Sequence, residues 1–123
     1  MIHGLGTDVV TIARIRAAYE RYGQKFAAKV LSAGEWSMVE GAAFERQVEF
    51  LAGRFAAKEA MSKAAGVGLG RLGMNCVELR LEVSGLTPIF CSNLTGKPFL
   101  HGRWHVSISH SEEVAFAVAI WEE

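Results

Sequence analysis

Several features that would commit the chain to a specialised class are scarce or missing. Cysteine occurs twice in 123 residues, at Cys76 and Cys91. The two stand far apart, with no CxxC and no second pair, so no zinc site is predicted and both read as core or surface thiols. Net charge is absent: thirteen basic and thirteen acidic side chains cancel, which removes any whole-chain argument for nucleic acid and leaves only local patches. Long apolar runs are absent too. The N-terminal MIHGLGTDVV has no basic region followed by a long hydrophobic stretch, and no segment approaches the length that spans a bilayer, so a cytoplasmic location is the expectation. Proline is limited to Pro88 and Pro98, neither inside the main helical segment.

What is present is apolar mass. Half of the residues are hydrophobic, enough at this length for one domain with a real core and too little for two, so residues 1–123 are read as a single domain. The organising segment is FLAGRFAAKEAMSKAAG, Phe50 to Gly66, rich in good helix formers. With Glu45-Arg46-Gln47-Val48 before it, one helix ending at Gly66 is predicted. Phe44, Val48, Leu51 and Phe55 share a face that continues into Glu59 and Ser62, flanked by Lys58 and Lys63. The opposite face, Phe50, Gly53, Ala57, Ala60, Met61 and Ala64, is apolar and mostly small, which places protein on both sides. A carboxylate near the C-terminal end of a helix meets an unfavourable dipole, so Glu59 needs a positive neighbour. Lys63 at i+4 supplies one in the simpler reading, and a bound cation is the alternative.

The rest of the chain supports a mixed architecture. Ile2 to Val10 reads as a strand in which Gly4, Gly6 and Asp8 share one side; interior glycines mark close approach of a backbone or a ligand. Asp8 by itself is simply a turn or cap residue. Thr11 is a plausible N-cap for a helix from Ile12 to Tyr22, on which Arg14, Ala18 and Arg21 line one side, with Lys25 joining them if the helix runs on. That stripe is either a solvated face or a docking surface for an acidic partner. A second short helix follows Gly23, and Ser32-Ala33-Gly34-Glu35 fits a capping box opening a third. Gly66 to Gly73 holds four glycines and Arg71. It is a weak phosphate-loop signal, because it follows a helix and does not precede one.

Val77 to Val83 alternates without a fault, apolar on one face and charged on the other. A turn over Ser84 to Pro88, a short strand at Ile89-Phe90-Cys91 and a turn over Asn93 to Pro98 continue an antiparallel meander. Trp104 to Ser111 alternates again. Val106 and Ile108 share one face, and His105, Ser107 and Ser109 the other. His110 ends the strand beside a serine-rich turn, and Val114 to Trp121 is apolar enough for an interior strand.

Three segments, GLGTDVV at Gly4 to Val10, FLAGRFAAKEAMSKAAGVGLGR at Phe50 to Arg71 and HVSISHSEEVAFAVAI at His105 to Ile120, resemble the signature blocks of the holo-acyl-carrier-protein synthases, the short bacterial phosphopantetheinyl transferases. FAAKVLSAGEW at Phe26 to Trp36 extends the resemblance, so it spans most of the chain in order. The resemblance implies an α/β (α+β) fold with an antiparallel sheet packed around a long central helix, and a homotrimer with active sites between subunits. The implied reaction moves the 4′-phosphopantetheine of coenzyme A to a serine of acyl-carrier protein in fatty acid biosynthesis, leaving adenosine 3′,5′-bisphosphate. Position by position, Asp8 and Glu59 match the family's magnesium carboxylates, and Glu59 and Lys63 carry the catalytic roles. Arg54, Lys63, Gly66 and His110 match substrate-binding positions, and Arg14, Arg21 and Lys25 acquire an acidic carrier protein as partner. Glu82 to Gly96 reads as an extended hairpin before GKP, followed by a shortened connection from Phe99 to Trp104. A competing reading is a non-catalytic trimeric module that binds carrier protein or nucleotide, and another is a different magnesium-dependent phosphate enzyme on the same scaffold. Joint retention of Asp8, Glu59 and Lys63 favours the transferase over the binding module.

Overall fold

The computed structural model describes residues 1–67 and 73–123. Strand β1 (Ile2–Thr11) leads into three helices, α1 (Ile12–Tyr22), α2 (Gln24–Val30) and α3 (Ala33–Ser37), and then into the long α4 (Phe44–Ala65). Four strands complete the chain: β2 (Val77–Glu82), β3 (Gly85–Phe90), β4 (Arg103–His110) and β5 (Val114–Glu122). They form one antiparallel sheet in the order β1-β5-β4-β3-β2, so the last strand is interior, as its apolar run predicts. The meander also holds, although β3 and β4 share only the Leu86–Val106 pairing.

Helix α4 lies on one face of the sheet. Ala115, Ala117 and Ala119 of β5 are fully buried beneath it, as are Ala52, Ala56, Ala57 and Ala60 of the helix itself. Small residues on both surfaces let the backbones come close, and the glycines of β1 show how close. A Cβ on Gly6 would collide with the carbonyl oxygen of Ala60 and lie 2.8 Å from the amide nitrogen of Ala64; one on Gly4 would collide with the carbonyl oxygen of Ala64. The room that these glycines provide is therefore taken by a helix backbone and not by a ligand.

Local signals settle most boundaries. Gly66 stops α4 in the left-handed region (φ 71°), its N–H reaching back to the carbonyls of Lys63 and Ser62. The capping box of α3 is complete: the Ser32 hydroxyl accepts from the Glu35 N–H at 3.1 Å, and Glu35 Oε1 accepts from the Ser32 N–H at 3.0 Å. Thr11 occupies the N-cap position of α1 but makes no side-chain cap. The first orphan donor is met by the turn between β4 and β5, where the Glu113 carbonyl accepts from the Ile12 N–H at 2.8 Å. No helix of the described residues is long and apolar enough to cross a membrane.

Helix α1 ends at Tyr22 as predicted, so the condition for Lys25 to join the stripe is not met: Gly23 (φ 57°, ψ −136°) separates α1 from α2, and Arg14 and Arg21 stand on one helix and Lys25 on the next. Other expectations need correction. The hairpin before GKP is short, with only Val83 and Ser84 between the paired Glu82 and Gly85. Pro88 lies inside β3 and not in a turn, and the long connection runs from Cys91 to Gly102, with Pro98–Leu100 as a single 3₁₀ turn. Finally, the apolar face of β2 is buried only at Val77 and Leu79. Leu81 and Val83, at the tip of an edge hairpin, are exposed. The glycine-rich signal at Gly68, Gly70 and Arg71 lies outside the described residues.

Candidate functional site

The site is built from β1 and the C-terminal half of α4. Asp8 sits within β1, opposite Ala117 of β5, on the side that faces the helix; the Gly4, Gly6, Asp8 parity puts it there. Its carboxylate is mostly shielded, and Lys63 Nζ approaches Asp8 Oδ1 at 3.4 Å while donating to the Thr7 carbonyl at 2.9 Å. Lys63 therefore pairs across to the strand, and not along the helix with Glu59. Glu59 lies one helical turn earlier on the same side, half-buried, with no hydrogen-bonding or ion-pair partner among the described residues. Gly66 caps the same helix end three residues beyond Lys63. One end of α4 thus brings together two carboxylates, an ammonium group more than half exposed, and a backbone turn.

This donor set suits a hard divalent cation. Magnesium takes one or two protein carboxylates and leaves its other positions to water and phosphate oxygens. A half-buried carboxylate without a side-chain partner among the described residues, one helical turn from the lysine that meets Asp8 at a single long contact, offers oxygen ligands not committed elsewhere.

The remaining predicted substrate residues form a second group. Arg54 and His110 line a cavity of about 450 Å³ together with Arg46, Glu49, Phe50 and Leu86. The Arg54 guanidinium carbon lies 4.3 Å from the centre of the Phe50 ring, and Nη2 donates to the Leu79 carbonyl at 3.4 Å. Arg54 Nε is buried without a hydrogen bond, 3.5 Å from Glu35 Oε2. His110 Nδ1 lies 3.7 Å from Glu49 Oε2. Nine residues separate Arg54 from Lys63, about 13 Å along the helix axis. Within one protomer, the Arg54–His110 wall and the Asp8–Lys63 end are therefore separate.

Between and beneath them lies a cluster that sequence reading missed. Glu35 and Lys58 are both fully buried, with Lys58 Nζ 2.6 Å from Glu35 Oε1 and 2.6 Å from the Val30 carbonyl. Glu35 Oε2 also accepts from the Leu79 N–H at 2.9 Å. Burial lowers the Lys58 pKa from 10.5, and the charge of Glu35 acts against that fall. One carboxylate joins α3, α4 and β2 and stands beside Arg54. The signal available in the sequence was Glu35 as the third residue of a capping box. Lys58 was legible only as a flank of Glu59.

Arg14, Arg21 and Lys25 are all exposed. The Arg14 guanidinium carbon lies 5.8 Å from the Phe55 ring centre, and Lys25 borders a mainly apolar pocket with Tyr22, Phe26 and Lys29. A basic rim around apolar side chains is a form suited to an acidic, amphipathic partner.

Comparison with known proteins identifies the family and the fold. The model of the 4′-phosphopantetheinyl transferase superfamily matches residues 4–119. The holo-[acyl-carrier-protein] synthase of Enterococcus faecalis is 41% identical over 122 residues, covering 99% of this chain and 98% of its own. The crystal structure of a holo-(acyl-carrier-protein) synthase from Bacillus anthracis in complex with CoA (3′,5′-ADP) superimposes with a TM-score of 0.78 at 36% identity, over 98% of this chain and 96% of that one. The Helicobacter pylori holo-[acyl-carrier-protein] synthase in complex with coenzyme A gives 0.79 at 30% identity, over 96% and 99%. With its fold and nearly its full length shared in this way, the chain belongs to the 4′-phosphopantetheinyl transferase superfamily, among the holo-[acyl-carrier-protein] synthases.

Proposed function

We propose that this chain transfers the 4′-phosphopantetheine group of coenzyme A to a serine of apo-acyl-carrier protein, releasing adenosine 3′,5′-bisphosphate. The observation that carries the reading is the convergence of Asp8, Glu59 and Lys63 at one end of α4. Transfer of a phosphoryl-type group from a pyrophosphate demands charge neutralisation and an aligned nucleophile, and little covalent work from the protein. Asp8 and Glu59 would hold magnesium, which when bound neutralises pyrophosphate oxygens. Lys63 is a mobile point charge for the phosphates, stabilising the charge that grows on the leaving group. Glu59 is an unpartnered carboxylate placed to accept the serine proton. Arg54 and His110 bind the nucleotide end of coenzyme A, and Gly66 presents backbone beside Lys63. Arg14, Arg21 and Lys25 dock the acidic carrier protein.

The same reading makes the enzyme a homotrimer with its active sites between copies. Two features support it. Among the described residues no element covers the sheet face turned away from α4: Leu5 (62% exposed), Val9 (59%) and Phe116 (39%) lie on it beside Val118 and Ile120. An apolar sheet face of this kind is normally buried against protein. The Arg54–His110 wall and the Asp8–Lys63 end are also separated within a protomer, so a second copy that supplies the missing half closes one complete site.

The test is incubation with coenzyme A, magnesium and apo-acyl-carrier protein, followed by intact mass measurement of the carrier. A gain of one phosphopantetheine is expected, lost on addition of chelator and in Glu59→Gln. No gain with any carrier protein would favour the non-catalytic module. Sedimentation equilibrium at micromolar concentration should return three chain masses, and a monomer at all concentrations would refute the shared site.

A further inference from the structure

The two cysteines, separate in sequence, are neighbours in the fold. The β2–β3 ladder pairs Val77 with Phe90, and one step further along the same register Cys76 stands opposite Cys91. The alignment is real at the backbone, since the Cys91 N–H donates to the Cys76 carbonyl at 2.8 Å. Cys76 closes a 3₁₀ turn (Met74–Cys76) and its own N–H returns to the Gly73 carbonyl, so one of the two possible ladder bonds forms. Residues opposed across a hydrogen-bonded strand position lie about 5.5 Å apart at Cα, within the window of about 4.4–6.8 Å that a disulfide spans, and the two thiols are near enough to hydrogen-bond. Both are free thiols, neither fully buried. Both line one open cavity of about 500 Å³ between the hairpin and helices α2 and α3, with Ala28, Ser32, Trp36 and Asn75. A small reagent therefore has access to both sulfur atoms at once. The thiols also sense each other: Cys91 is held above its ordinary pKa, first because its S–H donates to the Cys76 sulfur.

We infer that Cys76 and Cys91 form a dithiol modification site that closes to an intramolecular disulfide by exchange with a small-molecule disulfide. The chemistry balances in two steps. One cysteine loses its proton and attacks a sulfur of the reagent, forming a mixed disulfide and expelling one reagent thiolate. The second cysteine, deprotonated in turn, attacks the protein sulfur of that mixed disulfide and expels the other reagent thiolate. The protein loses two protons and two electrons, and the reagent is reduced to two thiols. The raised pKa of Cys91 limits its thiolate, so whichever step uses Cys91 as the attacking sulfur is slow near neutrality and faster as pH rises. An exposed cross-strand bond of this kind is open to reduction by the same exchange and so is reversible. Nothing in the transfer chemistry uses either thiol, and both lie on the α2–α3 side of the hairpin, apart from Asp8, Glu59 and Lys63.

The test uses the full reduced chain, freed of reductant and incubated under native conditions with excess oxidised glutathione, then alkylated and analysed by intact mass and peptide mapping. The expected product is lighter by two hydrogens, carries a Cys76–Cys91 linked peptide pair, remains unlinked to other chains and reverts with dithiothreitol. Cys76→Ser and Cys91→Ser are each expected to stop at a stable adduct of one glutathione, because the resolving thiol is gone. Two stable glutathione adducts on the unsubstituted chain, covalent links between chains, or a native chain that stays unmodified while the urea-unfolded chain reacts would each overturn the assignment.

Discussion

Replacing Gly6 by alanine tests how the sheet and α4 jointly set the site. The new Cβ would stand 2.8 Å from the Ala64 nitrogen and 2.9 Å from the Ala60 carbonyl carbon. Ordinary contact begins near 3.4 Å, and both neighbours are helix backbone, so no rotamer change relieves the overlap. Because the Ala60 carbonyl oxygen is closer still, the helix and strand must part by roughly an ångström or more, and a gap of about 0.5–1 Å already forfeits roughly a quarter to a half of each dispersion contact along the interface. Overpacking of this kind costs about 1–3 kcal/mol, and the rigid partner places Gly6→Ala at the upper end. For a chain of this length the unfolding entropy is roughly 0.26 kcal/mol per kelvin, so a loss of about 3 kcal/mol lowers Tm by about 12 °C. Asp8 is two residues along the same face and Lys63 lies on the retreating helix, so turnover should fall even well below the new Tm. Thermal unfolding by circular dichroism and the carrier mass assay at 25 °C, against Gly34→Ala, are the measurements. Gly34→Ala meets only the end of the Glu78 side chain, which can swing aside. A Gly6→Ala protein within 2 °C of the parent, or one no more affected than Gly34→Ala, would refute the argument.

Glu35→Gln leaves Lys58 as a buried cation without its counter-charge and should cost about 3–5 kcal/mol near neutrality, read from urea unfolding. A lysine whose folded pKa lies below 10.5 penalises folding fully below that folded value and no longer does so above 10.5, so the deficit should shrink as pH rises through this window. Arg14→Glu should raise KM for carrier protein while leaving binding of coenzyme A nearly unchanged; equal losses for both would remove Arg14 from the docking surface. Hydrogen bonds from Arg16, Arg80 and His105 hold the carboxyls of Glu45, Glu78 and Glu122 below 4.5. Their stabilisation is complete above 4.5 and lost as pH falls through the folded values, so Arg16→Gln should flatten the acid limb of a plot of urea midpoint against pH.

Much of this was legible in residue patterns, and the failures have physical causes. The parity of Gly4, Gly6 and Asp8 placed a carboxylate on the helix side of β1, and the Gly66 stop placed Lys63 and Glu59 at a helix end. Both depend on local periodicity, which sequence carries directly. The Lys63–Asp8 approach and the Lys58–Glu35 pair are contacts between elements, and a helical wheel offers only the i+4 neighbour, so Lys63 was first matched to Glu59. Alternation over Val77 to Val83 showed an apolar face but not how much of it is buried, because burial of Leu81 and Val83 depends on how far the core extends under an edge hairpin. Pro88 looked like a turn residue because proline removes a ladder donor, yet β3 accommodates it with sparse pairing to β4. Gly23 divided the basic stripe because a left-handed φ ends a helix whatever the charges around it prefer.

Arg54 and Lys63 stand on one uninterrupted helix, and under the proposed function this makes α4 a ruler for the groups assigned to the site. Inserting or deleting one residue between them would turn one group by about 100° relative to the other and slide it about 1.5 Å. The protein therefore has no tolerance for length change in the segment between Arg54 and Lys63, whatever residues fill it. The connection from Cys91 to Gly102 is under no such restraint, since it joins strands already held in register by their other neighbours. Length variation between relatives should accumulate in that connection and be absent from the helix.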